Sequence, residues 1–286
     1  MSARLAMPTG STLSAKKEIA VATAKPAVLI SVKRSIKTSF ALLILPSRCE
    51  TQSKFPVTIS AQTAMPSKKY ITRRSNPAKF LIECKGKYKH EPTFLECDVT
   101  NTKDLKAALQ TTADKQGAIS VLVNNAANDT RHTLGEFTSE QWDKTMNVNL
   151  KPHFFTAQEV AEGMKKNGGG SIINFSSISY MMGNEGYPVY ATAKSAITGL
   201  TRSLARELGP FNIRVNAIMP GWVLTKRQMD LWATEEGLSK HLDRQCLKEH
   251  LSGSDIVGGT LFLASNTSKM MTSQALVIDG GVVVTG

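Results

Sequence analysis

The chain has 286 residues, 41% hydrophobic and 6% aromatic, with 35 Lys/Arg against 23 Asp/Glu for a formal net charge of +12. That length buries one sizeable core, and α/β folds use it as a single domain. Residues 1–80 hold 14 Lys/Arg against only Glu18 and Glu50, so the charge is confined to the front, and without stacking aromatics or a nucleic-acid module it argues against a nucleic-acid partner.

Cys49, Cys84, Cys97 and Cys246 form no CxxC pair and the five histidines no HExxH. Neither a disulfide framework nor a metal site is signalled, and a reducing, cytoplasmic setting is expected. The apolar runs "PAVLISV" and "FALLILP" fall well short of the roughly 20 residues a membrane helix needs.

Residues 1–16 read as a basic leader, expected to be disordered, although the acid-poor, Ser/Thr/Ala-rich front also has the composition of an organellar transit peptide. Glu18–Thr23, Val28–Phe40 and Ala41–Leu45 then keep a strand, helix, strand rhythm. Residues at about 49–80, rich in Ser, Thr, Lys and Pro, are expected as an irregular insertion.

From residue 90 onward short apolar strands alternate with amphipathic helices: "TFLECDV", "LKAALQTTADKQ", "ISVLVNNAA", then the long helical stretch "SEQWDKTMNVNLKPHFFTAQEVAEGMKK". "NGGG" at 167–170 is a helix stop and turn before the strand "SIINFS". Ala193, Ile197, Leu200, Leu204 and Leu208 form one buried stripe of a helix that stops at Gly209-Pro210. "IRVNAIMPG" follows as a strand, then a polar stretch at 226–250, the helix "DIVGGTLFLAS" and the closing strand "QALVIDGG". Alternation of this kind predicts an α/β fold, a parallel sheet with helices on both faces.

Chemistry concentrates in "NFSSISYMMGNEGYPVYATAK", residues 174–194. Residues four apart share a helix face, so the Lys194 ammonium is expected beside the Tyr190 phenol, lowering its pKa toward a usable general base. Ser177 leaves the end of the preceding strand, where ligands gather in such folds, and its hydroxyl would bond the same substrate oxygen.

Ser177, Tyr190 and Lys194 at this spacing, with "VNNAA" and "NVNL" upstream and "PGWVLT" downstream, resemble the short-chain dehydrogenase/reductase family over roughly residues 90–286. The resemblance implies a Rossmann-like doubly wound domain over 17–286 and an oxidoreductase using NAD or NADP. It implies that Ser177 orients substrate, Tyr190 is the acid/base, Lys194 lowers its pKa and holds the nicotinamide ribose, and Asn149 supports a proton-relay water. It assigns Asp98 and Val99 to the adenine, Asn125, Ala126 and Ala127 to the cofactor, and Pro220, Gly221, Val223 and Thr225 to the nicotinamide-facing loop. Strand-end, turn and helix caps account for the same Asn, Asp and Pro-Gly residues individually.

Within that family "NNAANDTRH" and "MNVNLKPHFFTAQ" are similar to bacterial aldose 1-dehydrogenases of the xylose type, which oxidise a pyranose C1 hydroxyl to a lactone. Asn128, Arg131 and His153 are then candidate sugar contacts, with surface roles for Arg131 and His153 as the alternative, and Trp222 caps a ring face or packs. A homotetramer packed through the long helices is also implied.

The pattern departs at the front, where Gly10 is the only glycine before Gly86 and the family's TGxxxGxG turn is missing. If Thr23-Ala24 stands for its Thr-Gly, Val28 and Ile30 occupy glycine positions and would crowd the phosphates. Arg48 stands near the usual acidic ribose clamp, as a contact for a 2′-phosphate or as a solvated side chain. A corrupted reading frame, a decayed cofactor site or an unusual binding mode all fit, and a non-catalytic subunit of the same fold is the second reading.

Overall fold

The computed structural model describes residues 27–31, 40–45 and 93–284, the first two segments and residues 93–94 as backbone alone. Its strands are β1 (Ala27–Ser31), β2 (Phe40–Leu45), β3 (Thr93–Cys97), β4 (Val121–Asn124), β5 (Gly170–Phe175), β6 (Ile213–Pro220) and β7 (Ala275–Ile278). Its helices are α1 (Thr102–Gln116), α2 (Ser139–Asn149), α3 (Lys151–Lys166), α4 (Ser179–Met182), α5 (Pro188–Leu208), α6 (Lys226–Leu231), α7 (Glu235–Arg244) and α8 (Gly253–Ala264). The strands form one sheet in the order β3-β2-β1-β4-β5-β6-β7.

Strands β1, β4, β5, β6 and β7 run parallel, with Asn124 opposite Asn174 and Asn174 opposite Ala217. Alternation along these strands feeds two cores. Leu122, Ile172 and Val215 face one cluster with Leu105, Val160 and Leu204, whereas Val123, Ile173 and Ile218 face the other with Ile256 and Leu263. Helices thus cover both faces, as the sequence pattern requires.

The front corrects the expected rhythm. The expected helix Val28–Phe40 is corrected at both ends: Phe40 opens β2, and Val28–Ser31 belong to β1, whose Val28 and Ile30 pair with Leu122 and Asn124 of β4. These two residues therefore lie inside the strand, not in a phosphate-facing turn after it. β2 returns antiparallel to β1, with Ser31 opposite Ala41 and Ala27 opposite Leu45. Residues 32–39 are too few for the dozen-residue crossover that parallel neighbours need. Glu18–Thr23, Thr23-Ala24, the 1–16 leader, Arg48 and the 49–80 insertion lie outside the described residues.

The stretch 139–166 divides at Leu150 (φ −123, ψ −52), because Pro152 has no N–H for the preceding turn and is suited to a helix start. Thr138 and Gln141 close a capping box at the head of α2. After α3, Gly168 (φ +76) and Gly169 (φ +141) make the reversal into β5, where a Cβ on Gly169 would stand 2.6 Å from the Asn212 carbonyl oxygen.

Candidate functional site

The carboxyl ends of β4, β5 and β6 release three segments beside one another, 124–131, 175–180 and 220–225. Beneath them runs a buried hydrogen-bonded chain. Thr156 Oγ1 donates to Asn124 Oδ1 (2.9 Å), Asn124 Nδ2 to Asn174 Oδ1 (3.0 Å), and Asn174 Nδ2 to Thr201 Oγ1 (3.0 Å). It joins two strand ends to α3 and α5, so the floor of the crevice is held by satisfied amides.

Tyr190 and Lys194 lie one turn apart on α5, which Pro188 starts. Ser176, beside Ser177, donates from Oγ to the Lys194 carbonyl oxygen at 2.6 Å, fastening the β5 exit to that turn. Ser177 Oγ accepts from Ser179 N at 3.1 Å. The structure therefore brings Ser177, Tyr190 and Lys194 together.

Their electrostatics differ from the sequence expectation. Burial, then Asp129, raises the Tyr190 phenol above its ordinary value, while a hydrogen bond from Ser177 and the Arg227 charge oppose the rise. Lys194 is only 1% exposed. Its Nζ donates to the Phe175 carbonyl oxygen at 2.7 Å and stands 5.6 Å from the Tyr190 ring centroid. Burial pushes Lys194 down to about 7, with Asp129 opposing. The groups that lower the phenol are thus Ser177 and Arg227, because the Lys194 charge is suppressed by desolvation and turned toward the strand carbonyl.

Asn149 is fully buried, and its amide is committed to the main chain. Oδ1 accepts from Asn128 N (2.8 Å), and Nδ2 donates to Asn128 O (3.0 Å) and Thr145 O (2.9 Å). It clamps the segment after β4, in which Asn125 and Ala127 are exposed and Ala126 is buried. Asp98 makes a turn with Thr100 N and Oγ1, and the Val99 side chain is in the core, leaving its backbone for any ligand. Pro220, Gly221 and Val223 are half-buried, and Thr225 caps α6 through Gln228 N. A Cβ on Gly221 would stand 2.8 Å from Asp279 Cα, so this loop presses directly on the chain after β7.

Sequence reasoning missed the group that ties the far wall to the crevice. Arg227 pairs with Asp129 (NH2 to Oδ1, 2.8 Å) and donates to Asn128 Oδ1 (2.9 Å). Gln228 Nε2 donates to Asp129 Oδ2 (2.7 Å), and Trp222 Nε1 donates to Gln228 Oε1 (2.9 Å). Asp129 adjoined a residue already singled out; Arg227 carried no local signal. Trp222 also packs edge-on against His241. Two expected sugar contacts separate here: Arg131 is exposed and stacks on Tyr187 and Trp232, but His153 is fully buried and is no surface residue. Neither His153 ring nitrogen meets hydrogen-bond geometry, although the Asn124 and Phe175 backbones lie close enough to favour its protonated form. Burial, reinforced by Lys194, pushes it down to about 3.

For a dinucleotide, the two ends of the crevice differ. Lys194 spends one donor on Phe175, so its ammonium has two more for sugar hydroxyls, which suits a ribose beside Tyr190. The pyrophosphate end does not fit the usual arrangement, since β2 runs antiparallel to β1, whereas the usual phosphate-facing helix N-terminus belongs to a crossover between parallel strands. β2 also ends opposite Ala27, at the end of the strands away from the crevice.

Residues 69–283 match the family model described as Enoyl-(Acyl carrier protein) reductase. Over 191 residues, 67% of this chain and 75% of the relative, the sequence is 51% identical to "Probable galactose dehydrogenase GalD" of Rhizobium meliloti strain 1021. It is 45% identical over 190 residues to D-xylose 1-dehydrogenase of Caulobacter vibrioides, covering 66% of this chain and 75% of that protein. A solved structure assigned as a short-chain alcohol dehydrogenase of Sinorhizobium meliloti 1021 superposes with a TM-score of 0.63 at 31% identity, over 66% of this chain and 75% of that one.

Proposed function

The chain belongs to the short-chain dehydrogenase/reductase family of oxidoreductases, and on that premise we propose that it oxidises the C1 hydroxyl of an aldose to a lactone. The observation that carries this reading is the convergence of Ser177, Tyr190 and Lys194 at the exit of β5, over a floor of satisfied amides. Galactose and xylose dehydrogenases among the relatives support a sugar substrate.

A bound NAD or NADP would supply the hydride acceptor. Lys194 and Tyr190 would hold the nicotinamide ribose, with Asn125, Ala126, Ala127, Pro220, Gly221, Val223 and Thr225 around the ring, and Asp98 and Val99 at the adenine. Ser177 orients the sugar hydroxyl and, with Arg227, favours the phenolate. Tyr190 takes the hydroxyl proton, and Asn149 keeps the loop over the substrate in place through Asn128. Because burial leaves the phenol protonated on its own, Tyr190 becomes a base only as positive charge enters beside it.

We place the protein in the cytoplasm as an oligomer of its own kind. A groove of about 360 Å³ between α2, α3 and α5, lined by Met146, Leu150, Phe154 and Leu200, leaves Phe154 43% exposed and suits the same helices of a second copy. Among the described residues no helix is long and apolar enough to cross a membrane.

The test is reduction of NAD+ or NADP+ by galactose or xylose with the full chain, followed by absorbance of the reduced nicotinamide. Tyr190→Phe should lower turnover at least ~100-fold while nucleotide affinity stays within about twofold. Turnover surviving in that variant sinks the assignment of Tyr190. The reversed β2 favours a second reading, a non-catalytic subunit, and absence of nucleotide binding at millimolar concentration would select it.

A further inference from the structure

The geometry points to a carboxylate subsite at Arg131, which would make the substrate an acidic sugar, a hexuronate carrying its carboxylate on C5, on the other side of the ring oxygen from C1. This rests on the sugar-oxidising reading above and narrows it. The Arg131 guanidinium carbon lies over two aromatic rings, 4.8 Å from the Tyr187 centroid and 4.9 Å from that of Trp232. Aromatic faces attract the guanidinium charge without accepting its N–H donors, and that planar fork matches a carboxylate edge to edge.

Three further observations converge on the same residue. Among the described residues no carboxylate pairs with Arg131, because the neighbouring Asp129 is fully engaged by Arg227 and Gln228. The cluster is also tied to the reaction centre: Tyr187 packs edge-on against Tyr190 with centroids 6.0 Å apart, so one tyrosine ring joins the guanidinium to the phenol. Its backbone is anchored there as well, since His132 N donates to the Gly186 carbonyl oxygen at 2.8 Å, next to Tyr187. Finally, Trp232 Nε1 is buried with no acceptor in the same stack. Arg and Trp supply donors only, so what completes this cluster is a group rich in acceptors.

Calorimetric titration of D-galacturonate and D-galactose into the full chain tests this without requiring nucleotide or turnover. Wild type should bind galacturonate at least about tenfold more tightly than galactose, and raising the salt should erode that advantage. Arg131→Met should abolish the advantage, bringing galacturonate down to the affinity of galactose. Arg131→Lys should retain part of it, as a point charge without the fork, and thermal midpoints of both variants report whether the fold is kept. Equal affinities for the two sugars in wild type, undiminished galacturonate binding in a folded Arg131→Met, or no binding of either sugar would overturn the proposal. Galactose turnover with no preference for the acid strikes this subsite alone, whereas acid-selective binding with no oxidation of either sugar strikes only the catalytic reading.

Discussion

Lys194 points its ammonium at the Phe175 carbonyl oxygen, 2.7 Å away, and not at the phenol one turn before it on α5. The side chain therefore reports on the strand exit as much as on Tyr190. Its ionisation should be visible in stability. A lysine held near 7 in the folded state and near 10.5 when unfolded leaves the unfolded chain binding more protons between those values. Stability should thus rise as pH climbs from about 7 toward 10.5. Lys194→Met should flatten that slope in urea titrations at several pH values, and an unchanged slope would show that the group is not buried as described.

His153 works in the acid range with the same sign. Its folded value of about 3 lies below the ordinary 6.5, so its contribution is complete above 6.5 and is lost as pH falls toward 3. His153→Phe should shrink the loss of stability between pH 6.5 and 4. An acid limb identical to wild type would count against a neutral, enclosed imidazole.

Asn149→Ala removes three hydrogen bonds at a fully buried amide and strands the Asn128 backbone groups. We expect a loss of about 2 to 3 kcal/mol in urea unfolding. Hydrogen exchange should also show faster amides in the 125–131 segment than in β5. Uniform loosening of both would contradict a local clamp.

Gly221→Ala puts a methyl group 2.8 Å from the Asp279 backbone and 2.8 Å from Leu251 Cδ1, and backbone cannot rotate away as a side-chain tip can. A cost of about 1 to 3 kcal/mol is expected. Turnover should fall further than stability alone explains, because Pro220–Thr225 must shift; wild-type stability in this variant would mean that the loop has slack.

The sheet from β3 onward and the meeting of Ser177 with Tyr190 and Lys194 were legible because strand alternation and helix periodicity are local properties. The direction of β2 was not, since "FALLILP" reads alike whichever way the strand runs, and only the short connection 32–39 decides it. Arg227 was invisible for a related reason: its partner Asp129 lies 98 residues earlier, and no spacing rule spans such a gap. The burial of His153 was not legible because a polar residue in "NLKPHFF" has either helix face available, and packing against β4 and β5 selects the inner one.

The chain of amides under the crevice has a consequence for how the molecule assembles. Asn124 meets Asn174 only when β4 and β5 are aligned as they are, and a slip by one residue would part the two amides from each other and from Thr156 and Thr201 in an apolar interior. Mis-threaded sheets thereby lose three buried hydrogen bonds at once. The polar thread is a proofreader of strand alignment, set directly below the residues whose mutual placement tolerates the least error.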